Sequence, residues 1–194
     1  MTTRRLFVAL RPPAPVLEAA AARVAALRGA AGPAAADVRW VAPGNVHLTL
    51  RFLGGVPAGR VPDVEAAVRG AAAAAARFTL ALGGPGAFPS ARRPRVLWLG
   101  VGGEVAALSA LAADLGRHLA PLGFPPEERA FSPHLTVGRA RDPRGAPRLA
   151  GALAGADGAA PVPWAVDFIA LVESHLSPAG PRYEDLLRAP LATP

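Results

Sequence analysis

Two short runs along the chain alternate apolar and polar residues in the same way. They are GNVHLTLRFLGG at positions 44–55 and FSPHLTVGRAR at positions 131–141. Successive side chains of a strand point to opposite faces, so His47, Thr49 and Arg51 are expected on one face, with Leu48, Leu50 and Phe52 on the other. The same alternation sets His134 and Thr136 against Leu135 and Val137. Further strands are predicted at LFVALR (6–11), FTLAL (78–82), VLWLGV (96–101) and VDFIALVES (166–174). Apolar residues recur with helical spacing over 14–28, 62–77 and 104–119. GGPGAFPSARRPR, at 83–95, reads as a loop by composition, and the Ala/Gly/Pro segment 142–161 reads as a candidate mobile loop beside the site.

The order strand, helix, motif strand, helix, strand therefore occurs twice, and the spacings agree. Leu6 to His47 spans 41 positions and Val96 to His134 spans 38, while His47 to Phe78 spans 31 and His134 to Val166 spans 32. This predicts one domain over 1–194, α+β in class, built from a duplicated β-α-β-α-β unit with repeat halves of about 6–83 and 96–174. A pseudo-two-fold axis relating the halves would turn the two His-x-Thr faces towards each other across a cleft.

Composition narrows the chemistry. A chain of 194 residues buries roughly 70% of its unfolded surface, enough for a real core. There is no Cys, which excludes a disulfide framework, thiolate zinc sites and cysteine nucleophiles. All 21 basic residues are Arg, a bias expected of a GC-rich genome, but exchanging Lys for Arg leaves the net charge of +7 untouched. A polyanionic partner such as RNA accounts for that charge, with solvated Arg faces as the other reading. The apolar run in MTTRRLFVALRPP stops at Arg11, too short for a signal core or a membrane span, so a cytoplasmic, monomeric protein is expected.

Imidazole gives or takes a proton near neutral pH, so two histidines facing one cleft suit a reaction that needs a general base and a general acid together. Hydrolysis of a cyclic phosphodiester is such a reaction: a base activates water, and an acid protonates the departing ribose oxygen. Thr49 and Thr136, each one strand step beyond its histidine, are placed to donate hydrogen bonds to the non-bridging oxygens. This chemistry calls for neither a metal nor a cofactor.

With RLFVAL at the start, VRWVAPGNVHLTLRFLGG, GAFPSARRPRVLWLGV, LGFPPEERAFSPHLTVGRAR and VESHLSPAGPRYEDLL near the end, the chain resembles the RNA 2′,3′-cyclic phosphodiesterases of the LigT type, also called 2′-5′ RNA ligases, within the two-histidine (2H) phosphoesterase superfamily. The resemblance implies two similar α+β lobes whose antiparallel sheets flank a central cleft. It implies His47 as the proton donor, His134 as the proton acceptor, and Thr49 and Thr136 as phosphate-binding residues. It also implies a phosphate contact for Arg139, which strict alternation would place on the wrong face unless Gly138 marks a bulge. FLGG carries Gly55 where many members of that family have Glu.

Phe7, Phe88 and Phe131 are candidates for stacking on a base, and Arg92, Arg93 and Arg95 for guiding an RNA strand. His118 and His175 read as structural. The activity expected is opening of an RNA terminal 2′,3′-cyclic phosphate to a 2′-phosphate, with 2′-5′ ligation as the reverse direction. Two rivals are a non-catalytic RNA-binding protein on the same scaffold, and a cyclic phosphodiesterase acting on a small nucleotide or ADP-ribose cyclic phosphate. A shallow basic cleft favours RNA; a closed pocket favours the small molecule.

Overall fold

The computed structural model describes residues 2–127, 130–141, 146–155, 160–178 and 180–193. The chain opens with β1 (Thr3–Leu10) and α1 (Ala14–Ala31), then the three-residue β2 (Val38–Trp40), β3 (Leu48–Pro57) and α2 (Val61–Ala74). A long hairpin follows, β4 (Phe78–Ser90) and β5 (Arg93–Gly103), leading into α3 (Val105–Leu119) and β6 (His134–Ala140). The last elements are α4 (Ala146–Gly155), β7 (Val162–Val166), β8 (Phe168–His175) and β9 (Arg182–Pro190). No helix among the described residues is long and apolar enough to cross a membrane.

The strand order β7-β4-β5-β6-β3-β1-β8-β9 is a palindrome about the β6–β3 junction, and every pairing along it is antiparallel. Reading outward, β6, β5, β4 and β7 form one lobe, and β3, β1, β8 and β9 form the other. Sequence order and spatial order thus differ: β4 follows the first motif but sits in the lobe of the second, and β8 crosses the other way. The helices cross as well, since α1 and α4 pack together against β4 and β5 while α2 and α3 pack together on the lobe of β8 and β9. The exchange threads the chain through both lobes, and one apolar cluster runs from Leu6 and Leu10 through Leu80, Leu97, Leu111 and Leu115 to Leu171.

Three sequence expectations change here. The Gly- and Pro-rich stretch 83–95 is a strand pair rather than a loop. Gly83 and Gly84 fall where the β4–β5 register breaks, and Gly86 lies under the Trp98 ring, where a Cβ would come within 2.1 Å of it. Glycine there serves a bulge and a close approach, two uses that composition cannot tell from a loop. The segment read as a candidate mobile loop contains α4 and part of β7; its stretches 142–145 and 156–159 lie outside the described residues. Finally, β2 and β9 had no predicted counterpart: β2 is very short, and β9 is a strongly charged strand at the sheet edge.

Candidate active site

The two motifs meet at one point. Leu48 of β3 pairs with Leu135 of β6, and both are fully buried. Their neighbours therefore project from the opposite face, and the antiparallel sense turns His47 towards Thr136 and Thr49 towards His134. These four residues line a single open cleft of about 910 Å³ between the lobes, together with Arg139.

Each imidazole is held in the same way. The Nδ1–H of His47 donates to the Asn45 carbonyl at 2.7 Å, and that of His134 donates to the Ser132 carbonyl, also at 2.7 Å. A carbonyl can only accept, so Nδ1 carries the proton and Nε2 is the nitrogen left for the cleft in both rings. The Asn45 amide in turn donates to the Pro181 carbonyl at 2.8 Å, tying the support of His47 to the segment before β9. Aromatic rings fix the remaining freedom. Phe7 lies against His47 at 4.8 Å and Tyr183 meets it edge-on at 5.2 Å; Phe88 meets His134 edge-on at 4.9 Å, with Trp98 behind it.

Burial among apolar rings pushes the His47 pKa down to about 4, against a partial counter-effect from its hydrogen bond to Asn45, and the charges of Arg11 and His134 lower it further. His47 is therefore neutral at rest.

A bulge follows each motif and re-aims the chain. In β6, Trp98 pairs with Thr136 and Leu97 with Gly138, so Val137 is the extra residue; it is buried, and Arg139 returns to the cleft. In β3, Ala9 pairs with Thr49 and Val8 with Arg51, which makes Leu50 the extra residue. Consequently Phe52, assigned by alternation to the core, is 60% exposed and lines the cleft. Arg51, assigned to the histidine face, instead reaches Glu127 at 3.6 Å and the Pro125 carbonyl. Phe52 and Arg139 stand at equivalent places of the two motifs, one apolar and one cationic.

The remaining candidates disperse. Phe7 stays at the cleft lining but is only 3% exposed, with its ring packed against His47, Phe52 and Tyr183. Phe88 packs between His134 and Trp98 rather than on the cleft wall, and Phe131 packs against the main core. Arg92, Arg93 and Arg95 sit at the tip of the β4–β5 hairpin, outside the cleft lining. Gly55 pairs with Arg5 and is likewise outside it. His118 faces Asp114, and His175 lies 3.4 Å from both Glu173 and Glu184, so each has a structural setting. Among the described residues no three His, Asp or Glu side chains gather to hold a metal ion. Tyr183, Asn45, Trp98 and Phe52 were missed by the sequence reading, since no local pattern joins them to the motifs.

The wall behind His134 is testable on its own. Gly86→Ala drives a methyl into the Trp98 ring. Overpacking of that kind costs about 1–3 kcal/mol, so a lowered Tm is expected on thermal unfolding.

Comparison with known proteins agrees with this geometry in fold and in family. The model of the 2′-5′ RNA ligase superfamily matches residues 15–178. The chain is 37% identical over 151 residues to an RNA 2′,3′-cyclic phosphodiesterase of Methanothermobacter thermautotrophicus, covering 78% of this chain and 81% of the relative. It is 34% identical over 174 residues to one of Aeropyrum pernix, covering 88% and 96%. A crystal structure from Thermus thermophilus superposes with a TM-score of 0.75 at 32% identity, covering 96% of this chain and 97% of the other. A fold of two lobes around a paired-histidine cleft, matched over most of its length by these proteins, makes the chain a member of the 2′-5′ RNA ligase superfamily.

Proposed function

We propose that the chain hydrolyses the terminal 2′,3′-cyclic phosphate of RNA to a 2′-phosphate by general acid–base catalysis between His47 and His134. The observation that carries this reading is the pair of imidazoles held alike by backbone carbonyls, each with Nε2 left for one cleft. The names of the relatives, RNA 2′,3′-cyclic phosphodiesterases, support the substrate class. In this reading the chain is one domain, and each repeat half, 6–83 and 96–174, supplies one histidine.

His134 Nε2 takes a proton from water as the water oxygen attacks phosphorus. The bond from phosphorus to the ribose 3′-oxygen breaks, and His47 Nε2 gives that oxygen its proton. The low resting pKa of His47 makes it a strong acid once an anionic phosphate has drawn a proton onto it. Thr49 and Thr136 donate to the non-bridging oxygens, and Arg139 offsets their charge. Phe52, exposed at the cleft wall, offers the terminal base a stacking face. A 5′-hydroxyl in place of water gives a 2′-5′ linkage by the same displacement.

The test is incubation of an oligoribonucleotide ending in 2′,3′-cyclic phosphate with the protein in EDTA, followed by assignment of the phosphate isomer. A 2′-phosphate formed at an EDTA-independent rate is expected. RNA that binds but is not turned over would favour the binding-protein reading instead.

A further inference from the structure

The short strand β2 delivers Arg39 and Trp40 to the cleft lining. Its three positions are pinned from behind: the Trp40 indole N–H donates to the Ala35 carbonyl at 3.0 Å, and the Val41 and Arg141 amides donate to the carbonyls of Val137 at 2.9 Å and Asp37 at 2.7 Å. Gly138 permits the approach, because any Cβ there would meet Val38 at 2.8 Å and Trp40 at 3.2 Å. Val38 is buried, so alternation turns the middle residue, Arg39, to the opposite face, where it lines the cleft.

The β2–β6 register puts Arg39 directly across from Arg139. Cα atoms so paired lie about 4.5–5.5 Å apart, and like charges in that position repel. Two arginines set across from each other on a cleft wall, their strands brought together by a buried Val, a hydrogen-bonded Trp and a side-chain-free Gly, are stabilised when anions lie over both. The reacting cyclic phosphate carries a single negative charge and, on the function proposed above, belongs to Arg139. A second anion at a fixed distance from the first is what an RNA chain offers and a mononucleotide lacks. The Arg39 side chain also extends towards the opposite lobe, its Nη2 standing 3.6 Å from where a Cβ of Gly180 would lie.

We propose that Arg39 binds the phosphodiester on the 5′ side of the terminal nucleotide and is the residue by which this site, given that function, prefers an RNA chain to a mononucleotide. Arg139 and Arg39 then hold two successive phosphates from adjacent strands.

The experiment compares the parent with Arg39→Gln on three substrates: a nucleoside 2′,3′-cyclic phosphate, a dinucleotide ending in 2′,3′-cyclic phosphate, and that dinucleotide with a neutral methylphosphonate as its internal linkage. Arg39→Gln is expected to lower kcat/KM roughly tenfold or more on the charged dinucleotide, and less than about twofold on the other two. An equal loss on the mononucleotide, or an undiminished loss on the methylphosphonate, overturns the assignment. Calorimetric binding of the corresponding 2′-phosphate products reads the same difference without turnover. A parent that turns over none of the three therefore counts against the proposed function alone, and the binding data still decide the role of Arg39.

Discussion

His47→Ala and His134→Ala are each expected to lower kcat/KM on a cyclic-phosphate terminus by about 10³-fold or more, since proton transfer by one positioned group contributes about 10²–10⁴-fold and neither variant can pass its share to the other ring. The double variant is expected to be little worse than either single one, because groups that act as a unit are not additive. Circular dichroism and denaturation midpoints are the control that separates chemistry from folding, with the larger shift in midpoint expected for His47→Ala, whose ring packs against Phe7 and Tyr183. Binding of the 2′-phosphate product should survive in both, carried by Thr49, Thr136 and Arg139. That product should also bind the parent more tightly as pH falls, because the phosphate stabilises the protonated form of His47 that burial disfavours.

Phe7→Ala is expected to have the largest effect on stability. The ring is 3% exposed and packed against His47, Phe52 and Tyr183. Truncating a buried Phe costs about 3–5 kcal/mol, and the lower end applies here because the site borders a cleft that water can enter. The same change wets His47, so its pKa should rise from about 4 towards the ordinary histidine value. The parent's His47 holds its proton less tightly folded than unfolded, so the unfolded chain gains a proton between about pH 6.5 and 4 that the folded one refuses, and the parent loses stability as pH falls through that window. In Phe7→Ala that loss should be shallower, although the variant starts from a lower midpoint. Denaturant midpoints at pH 7 and pH 5, with the His47 Cε1–H shift followed by NMR, check both halves. A His47 that titrates alike in both proteins would show that Phe7 does not set its environment.

The features that could be seen in the sequence were those with a local period. The alternation of His47 and Thr49 with Leu48, and of His134 and Thr136 with Leu135, located both motif strands, and the repeated spacing pointed to facing lobes. What escaped was set by non-local geometry. Two bulges, at Leu50 and Val137, reverse the alternation after each motif, which sends Phe52 into the cleft and Arg51 out of it. Only the bulge beside Gly138 left a trace, because a glycine marks it. Tyr183 reaches His47 from β9, a strand whose charged residues carry no apolar period, and the Asn45 carbonyl that holds His47 is a backbone group of the preceding turn, whose tie to Pro181 no local pattern reports. The exchange of β4 and β8 between lobes is likewise invisible to spacing, since a strand's pattern reports which faces are buried and not which neighbour buries them.

The opposed roles proposed for the two histidines are tested most directly by removing the need for one of them. The 4-nitrophenyl ester of a 3′-deoxynucleoside 2′-phosphate expels a phenolate that needs no proton, so a general acid becomes dispensable while a general base does not. Rates for the parent, His47→Ala and His134→Ala on this ester and on the cyclic phosphate should show His47→Ala restored to near the parent on the ester and His134→Ala still depressed by orders of magnitude. Equal depression of both variants on the ester would contradict the division of labour, and restoration of His134→Ala alone would reverse it.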